Sequence, residues 1–250
     1  MAYLRYLRKD MQLERKRGFY EKYIKRILDV LCSLLAIIVF SWLYLIIAVI
    51  VRIKMGSPVL FKQPRPGIVK NGKETVFDMY KFRTMTDERD ENGELLPDDK
   101  RLPRFGALLR KTSLDELPEA FNILKGDMSV IGPRPQLVRD MVFMSEQQRM
   151  RHTAKPGLSG LAQVKGRNAI SWEEKLDWDL KYIEKITFWS DIKLVFATII
   201  SAFIKAEGIS DGENATVLDY GDVLLNSGKV SKEEYLYRQN EAKQILEART

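Results

Sequence analysis

From Val30 to Val51 the chain carries no charged residue, a run of 22 positions. Wound as a helix, that length reaches across a bilayer core of about 30 Å. The run does not read as a signal peptide. Its leader is long and charged, and the chain continues as Arg52-Ile53-Lys54-Met55 with no small-residue cleavage site. The segment is therefore expected to be retained. Ahead of it lie Arg5, Arg8, Lys9, Arg15, Lys16, Arg17, Lys22, Lys25 and Arg26, opposed only by Asp10, Glu14, Glu21 and Asp29. Such a flank suits the anionic head groups of a cytoplasmic leaflet. A spanning helix would leave Arg52 and Lys54 on the outer side, against the positive-inside tendency. A re-entrant helix would keep both flanks on one face, with its bend near Ser41-Trp42. The sequence leaves both topologies open.

Composition narrows the function classes. The length of 250 residues and the hydrophobic fraction of 45% suit one domain with its own core, with room for an appendage. The net charge of +7 could serve nucleic acid, but that reading leaves the apolar run unexplained, so no nucleic-acid partner is expected. The lone Cys32 excludes an internal disulfide and a cysteine metal cluster. The lone His152 excludes a multi-histidine zinc site, and an ordinary polar or capping role is expected for it.

The expected elements place the chemistry. Val59–Phe61 and Val76–Phe82 read as strands of a β-hairpin with a longish loop around Asn71-Gly72. The stretch from Thr86 to Arg104 is acidic and polar and reads as a mobile loop. Helices are expected over Phe105–Lys111, Leu117–Leu124, Leu137–Met150 and Trp172–Ile186. Gly126 would close the second, and Ser171 with Glu174 would form a capping box on the last. Lys155 to Gly160 reads as a glycine-rich turn. Ile192 to Ile204 is apolar but short for a span, and suits core or interface. Beyond Gly208 the chain turns polar, with Ser231 and Glu234 marking one last exposed helix. The fold class expected is α+β and mostly helical, with a membrane helix and a small hairpin. Its division would be a basic N-terminus and membrane helix over 1–55, a catalytic domain over 56–208 and a polar extension over 209–250.

Thr112-Ser113-Leu114-Asp115-Glu116-Leu117-Pro118 is the chemically richest stretch. As plain structure, Ser113 and Glu116 match a capping box, or Asp115 is itself the N-cap with Pro118 in the first turn. As chemistry, an ionised aspartate is a competent nucleophile toward phosphorus and a hard ligand for Mg²⁺. Glu116 beside it could hold the metal's water or handle a proton. Lys81 and Arg83 alternate with Tyr80 and Phe82 at strand spacing, either as phosphate ligands or as a solvated strand face. Arg134 lies between Pro133 and Pro135, so its backbone is restricted and its guanidinium suits bidentate phosphate binding. The alternative is a structural pairing with a helix end. Gln163, Lys165, Gly166, Arg167 and Asn168 form a cation-bearing turn that could read a pyrimidine or a pyrophosphate, or simply face solvent.

Together these residues carry a resemblance. Lys25–Asp29, Pro64-Arg65-Pro66-Gly67, Tyr80–Met85, Thr112–Pro118, Asn122–Ser129, Ile131-Gly132-Pro133-Arg134-Pro135, Pro156–Val164 and Gly166–Trp172 resemble, in order and spacing, the bacterial sugar transferase family of small monotopic phosphoglycosyl transferases. The resemblance covers about three quarters of the chain. It implies transfer of a sugar 1-phosphate from a UDP-sugar to undecaprenyl (polyprenyl) phosphate, with release of UMP. Asp115 would be the nucleophile and Glu116 its partner, both holding Mg²⁺. Lys81, Arg83 and Arg134 would face substrate phosphates, and Gln163 and Arg167 the nucleotide. It further implies a bacterial inner membrane location with the site on the cytoplasmic face, an early step of surface-glycan synthesis, and downstream glycosyltransferases as partners. The chain departs from the family at Ser41-Trp42, where members commonly carry Ser-Pro. Rival readings are a membrane-tethered scaffold without turnover, and a glycosyltransferase that releases UDP.

Overall fold

The computed structural model describes residues 13–166, 170–205 and 218–249. It is mostly helical with two small two-stranded sheets. The described residues divide into two compact units, one of residues 28–63 and 78–126, the other of residues 13–27, 64–77 and those described from 127 onward.

In the first unit, the apolar run forms most of helix α1 (Lys25–Val39) and helix α2 (Ser41–Met55). A π-helical turn, Tyr20–Ile24, leads into α1. No single described helix is long and apolar enough to cross a membrane; the pair is bent by 63°. The break falls at Phe40 (φ −96°, ψ 12°), directly before Ser41, so the bend forms without a proline. Ile47, Val51 and Met55 recur at helical spacing along α2 and pack with Phe82 and Leu109 into a small core. The other faces stay apolar and open: Leu31, Leu35, Ile38, Trp42, Leu45, Val49 and Ile53 are all exposed.

Strands β1 (Leu60–Lys70) and β2 (Lys73–Phe82) form the hairpin. The turn is two residues, not a long loop. Asn71 and Gly72 both take positive φ, 52° and 75°, the geometry that matches strand twist and lets pairing run to the tip. The stretch after β2 is organised rather than an open loop. Arg89 and Leu95 form a bridge around an Asn92-Gly93 turn. A helical turn, Asp98–Arg101, follows, and Thr86 N donates to Arg101 O at 2.9 Å to close the base. Helix α3 (Arg104–Lys111) then packs so closely that a Cβ on Gly106 would lie 1.9 Å from the Thr84 carbonyl. Helix α4 (Glu119–Lys125) ends at Gly126 with φ 97°.

The second unit is built on a parallel pair, β3 (Ser129–Ile131) and β4 (Gly157–Ser159), aligned Ser129 with Gly157 and Ile131 with Ser159. The glycine-rich stretch is thus partly strand. Gly132 and Gly157 let the backbones meet, since a Cβ on Gly157 would lie 2.1 Å from Gly132 N. The helix expected over Leu137–Met150 is instead α5 (Val138–Met141), α6 (Glu146–Arg149) and a 3₁₀ turn, Met150–Thr153. The cause is a second start signal within it: Ser145 accepts from Gln148 N as a fresh capping box. After helix α7 (Leu161–Lys165) comes α8 (Trp172–Glu184), capped by Ser171 and Glu174 as expected. Helix α9 (Phe188–Lys205) buries Leu194 against Ile131, Tyr182 and Ile183. It leaves Trp189, Phe196, Ile199 and Ile200 exposed.

The polar C-terminal stretch is part of this unit's core. Helices α10 (Tyr220–Asn226) and α11 (Lys232–Glu247) contribute Tyr220, Leu224 and Ala242 to a cluster with Val138, Met141, Val142, Phe143 and Leu176. Ser231 caps α11 as expected, by accepting from Glu234 N.

Candidate active site

The dyad sits on a 3₁₀ turn, Leu114–Glu116, between α3 and α4. Ser113 enters that turn with φ 54°, in the left-handed region, where a non-glycine residue is uncommon and costs conformational energy. Neither capping role holds. Ser113 makes no side-chain cap, and α4 starts from Pro118, downstream of Asp115. With Leu114 and Leu117 packed inward against the α2 core, the turn holds Asp115 in a buried position without tying it to a helix end.

Lys81, near the end of β2, reaches this turn. Its Nζ lies 2.7 Å from Glu116 Oε1 and 3.4 Å from Glu119 Oε1. Burial pushes the Asp115 carboxyl above its ordinary value; the Lys81 ammonium opposes that and the Glu116 charge adds to it. Glu116 and Glu119 thus share one ammonium beside Asp115, and the Arg110 charge also acts on Asp115. Glu119 was not foreseen in the sequence, although its spacing of three from Glu116 and four from Asp115 is the helical signal that would have found it.

Buried Asn122 fixes Lys81. Its Nδ2 donates to Asp78 O at 2.6 Å and its Oδ1 accepts from Tyr80 N at 2.9 Å, which ties α4 to β2 next to the lysine. Arg83 is placed differently. It is buried, and its guanidinium donates to Met85 O at 2.9 Å and Ser57 O at 2.8 Å and pairs with Asp87. It also borders a cavity of about 420 Å³ lined by Pro58, Leu60, Phe61, Lys62 and Asp87.

The remaining predicted residues belong to the second unit. The Arg134 carbonyl accepts from Arg151, and the Arg134 charge, after burial, helps depress the Lys175 pKa. Gln163 Nε2 donates to Leu158 O at 3.0 Å, while its Oε1 is buried without a hydrogen-bond partner among the described residues. Arg167 lies outside the described residues. His152 is buried, with its Nδ1 3.4 Å from Glu74 Oε1, which Arg149 also holds. Burial lowers it to about 4, so at neutral pH it is uncharged.

The bacterial sugar transferase profile matches residues 20–205. The chain belongs to the bacterial sugar transferase family. Among similar proteins is an uncharacterized sugar transferase, EpsL, of Bacillus subtilis (strain 168), 46% identical over 208 residues. That match takes in 83% of this chain and 98% of the relative. A UDP-glucose:undecaprenyl-phosphate glucose-1-phosphate transferase of Klebsiella pneumoniae is 38% identical over 194 residues, 72% of this chain and 40% of that protein. The exopolysaccharide production protein ExoY of Rhizobium meliloti (strain 1021) is 35% identical over 192 residues, 70% of this chain and 83% of its own length. This sugar transferase thus spans nearly all of one relative and about two fifths of another. The matched residues include the Asp115 turn, Lys81 and the Pro133-Arg134-Pro135 turn, while α10 and α11 lie beyond them.

Proposed function

We propose that this sugar transferase moves a sugar 1-phosphate from a UDP-sugar to undecaprenyl phosphate and releases UMP. The observation that carries the reading is Asp115 itself: a buried carboxylate on a strained turn, free of capping duty, with Lys81 beside it and bonded to its neighbour Glu116. The sequence similarity to a Klebsiella enzyme named for this chemistry supports it. In the first step an Asp115 oxygen bonds to the sugar-bearing phosphorus, and the phosphoanhydride bond to UMP breaks. In the second, an oxygen of the lipid phosphate attacks that phosphorus and Asp115 leaves unchanged. Desolvation makes the Asp115 anion the stronger nucleophile once formed, and the Lys81 charge favours that anion.

Mg²⁺ fits this donor set. No cluster of three or more side chains among the described residues is arranged to enclose a metal, but Mg²⁺ commonly takes one or two carboxylates and completes its shell with substrate phosphates and water. Asp115 and Glu116 would hold it, and it would supply positive charge against the diphosphate. Arg134 is assigned to substrate phosphate, and Gln163 and Arg167 to the nucleotide. The cavity beside Arg83, with Lys62 and apolar Leu60 and Phe61 in its wall, suits the phosphate end of a lipid.

The bent, apolar α1–α2 pair is read as re-entrant, entering and leaving the cytoplasmic face of the bacterial inner membrane. The product would be the first lipid-linked intermediate of a surface glycan, passed to later glycosyltransferases.

The test is nucleotide release by the detergent-purified full chain with undecaprenyl phosphate, Mg²⁺ and a panel of UDP-sugars. UMP release with one sugar, abolished in Asp115→Asn, is expected. UDP release would make the enzyme a glycosidic-bond former, and release that survives Asp115→Asn would remove the covalent intermediate.

A further inference from the structure

The sequence holds two Pro-Arg-Pro segments, and one grips the other. In Pro133-Arg134-Pro135 the prolines have no N–H, so this turn is anchored chiefly through its carbonyls. All three are engaged. Pro133 O accepts from Gly157 N at 3.0 Å, Arg134 O accepts from Arg151 Nη2, and Pro135 O accepts from Arg65 Nη1 at 3.0 Å. Arg65 lies between Pro64 and Pro66 on β1, so the gripping arginine has a restricted backbone too.

Arg151 is 1% exposed, and its Nε and Nη2 lie 2.9 and 2.6 Å from Asp179 Oδ2, itself buried on α8. Burying such a pair costs about as much desolvation as its attraction returns, so it is weak evidence for stability. What the guanidinium fork does supply is direction: one group fixed by Asp179 presents an N–H to the Arg134 carbonyl.

We propose that Arg65 and Arg151 are positioning residues for Arg134, a two-arginine clamp on the carbonyls of its turn that fixes the direction in which its guanidinium points. The clamp rests on the reading of Arg134 as a ligand of the donor's phosphates. With the turn held at successive carbonyls, the Arg134 side chain loses little further backbone freedom when it meets an anion.

The experiment measures kcat and KM for the UDP-sugar, with the full-length detergent-purified enzyme, for Arg65→Met, Arg65→Lys, Arg134→Met and the Arg65→Met/Arg134→Met double variant. Arg65→Met is expected to raise KM about tenfold, the size of one lost hydrogen bond from a charged donor. Arg65→Lys should recover most of that loss, because an ammonium can donate to the same carbonyl. In the Arg134→Met background, Arg65→Met should add less than about twofold, because it acts through a side chain no longer there. Effects that multiply in the double variant, or a KM unchanged by Arg65→Met, overturn the clamp while leaving Arg134's role intact. A silent Arg134→Met overturns that role, and the clamp with it. For the buried arm, Arg151→Met is made together with Asp179→Leu so that no lone charge is left inside. The clamp predicts the same KM increase at an unchanged melting temperature, and an unchanged KM removes Arg151 from it.

Discussion

Lys81 Nζ stands 2.7 Å from Glu116 Oε1, so the cation that favours the Asp115 anion is itself held by the dyad partner. Asp115 is pushed up first by burial and then by the Glu116 charge, and drawn down by Lys81. In the proposed mechanism the anion is the nucleophile, so turnover is expected to rise with pH as Asp115 loses its proton. Removing the ammonium in Lys81→Met raises the Asp115 pKa further and shifts the acidic limb of the kcat/KM profile to higher pH. Glu116→Gln removes a like charge and shifts it to lower pH. Profiles that move together, or not at all, would show that Asp115 ionisation does not set this limb.

Asn122 is 0% exposed and is the side chain that extends the β2 backbone pattern to α4. Asn122→Ala leaves the Tyr80 N–H and the Asp78 carbonyl without these partners. A loss of about 2–4 kcal/mol in stability is expected, from two buried hydrogen bonds. Because Lys81 follows Tyr80 directly, activity should fall further than the folded fraction does. Thermal melting and turnover measured on one preparation separate the two, and an activity loss that merely tracks the folded fraction would show that Asn122 does not place Lys81.

Much of this arrangement was written locally. The position of the hairpin turn at Asn71-Gly72, though not its two-residue length, the Ser171 cap on α8 and the glycine end of α4 each follow from backbone chemistry within a few residues. What escaped depends on distant partners. The β3–β4 pairing joins residues far apart in sequence through the close approach of Gly132 and Gly157. The C-terminal helices look polar because only a few side chains, Tyr220, Leu224 and Ala242 among them, enter the core. At the site, Asp115, Glu116 and Lys81 were legible as residue types, but the left-handed entry at Ser113 was not, since a serine gives no sign of positive φ. Arg83 was legible as a phosphate ligand or a solvated strand face; its burial on the Met85 and Ser57 carbonyls depends on backbone that sequence does not label.

The 63° bend at Phe40 makes a prediction about sidedness. Cys32 is exposed on α1, so labelling starts from a Cys32→Ser background. Single cysteines at Lys22 and Arg52 flank the helix pair. In sealed inner-membrane vesicles of known orientation, an impermeant maleimide should label both from the cytoplasmic side. Opposite-side labelling would make the pair a spanning helix with a kink, and Arg52 and Lys54 would then be external.

Glu74 and His152 give the second unit a defined response to acid. Burial would raise Glu74, but the hydrogen bonds from His152 and Arg149 together outweigh it and hold it at about 2. Arg149 pairs with it through two contacts of 2.6 Å. His152 is lowered by burial to about 4, against an ordinary 6.5. Between those two values the unfolded chain binds a proton at His152 that the folded chain does not, so stability falls as pH drops from 6.5 toward 4. Glu74 adds its own loss only below its ordinary 4.5, as pH falls toward 2. From pH 7 to 5 the histidine therefore acts before the glutamate, and the expected loss is on the order of 2 kcal/mol. His152→Asn cannot take up that proton. The difference between wild-type and His152→Asn melting curves across pH 7 to 5 isolates the effect, and parallel curves would show that His152 is not held neutral by the fold.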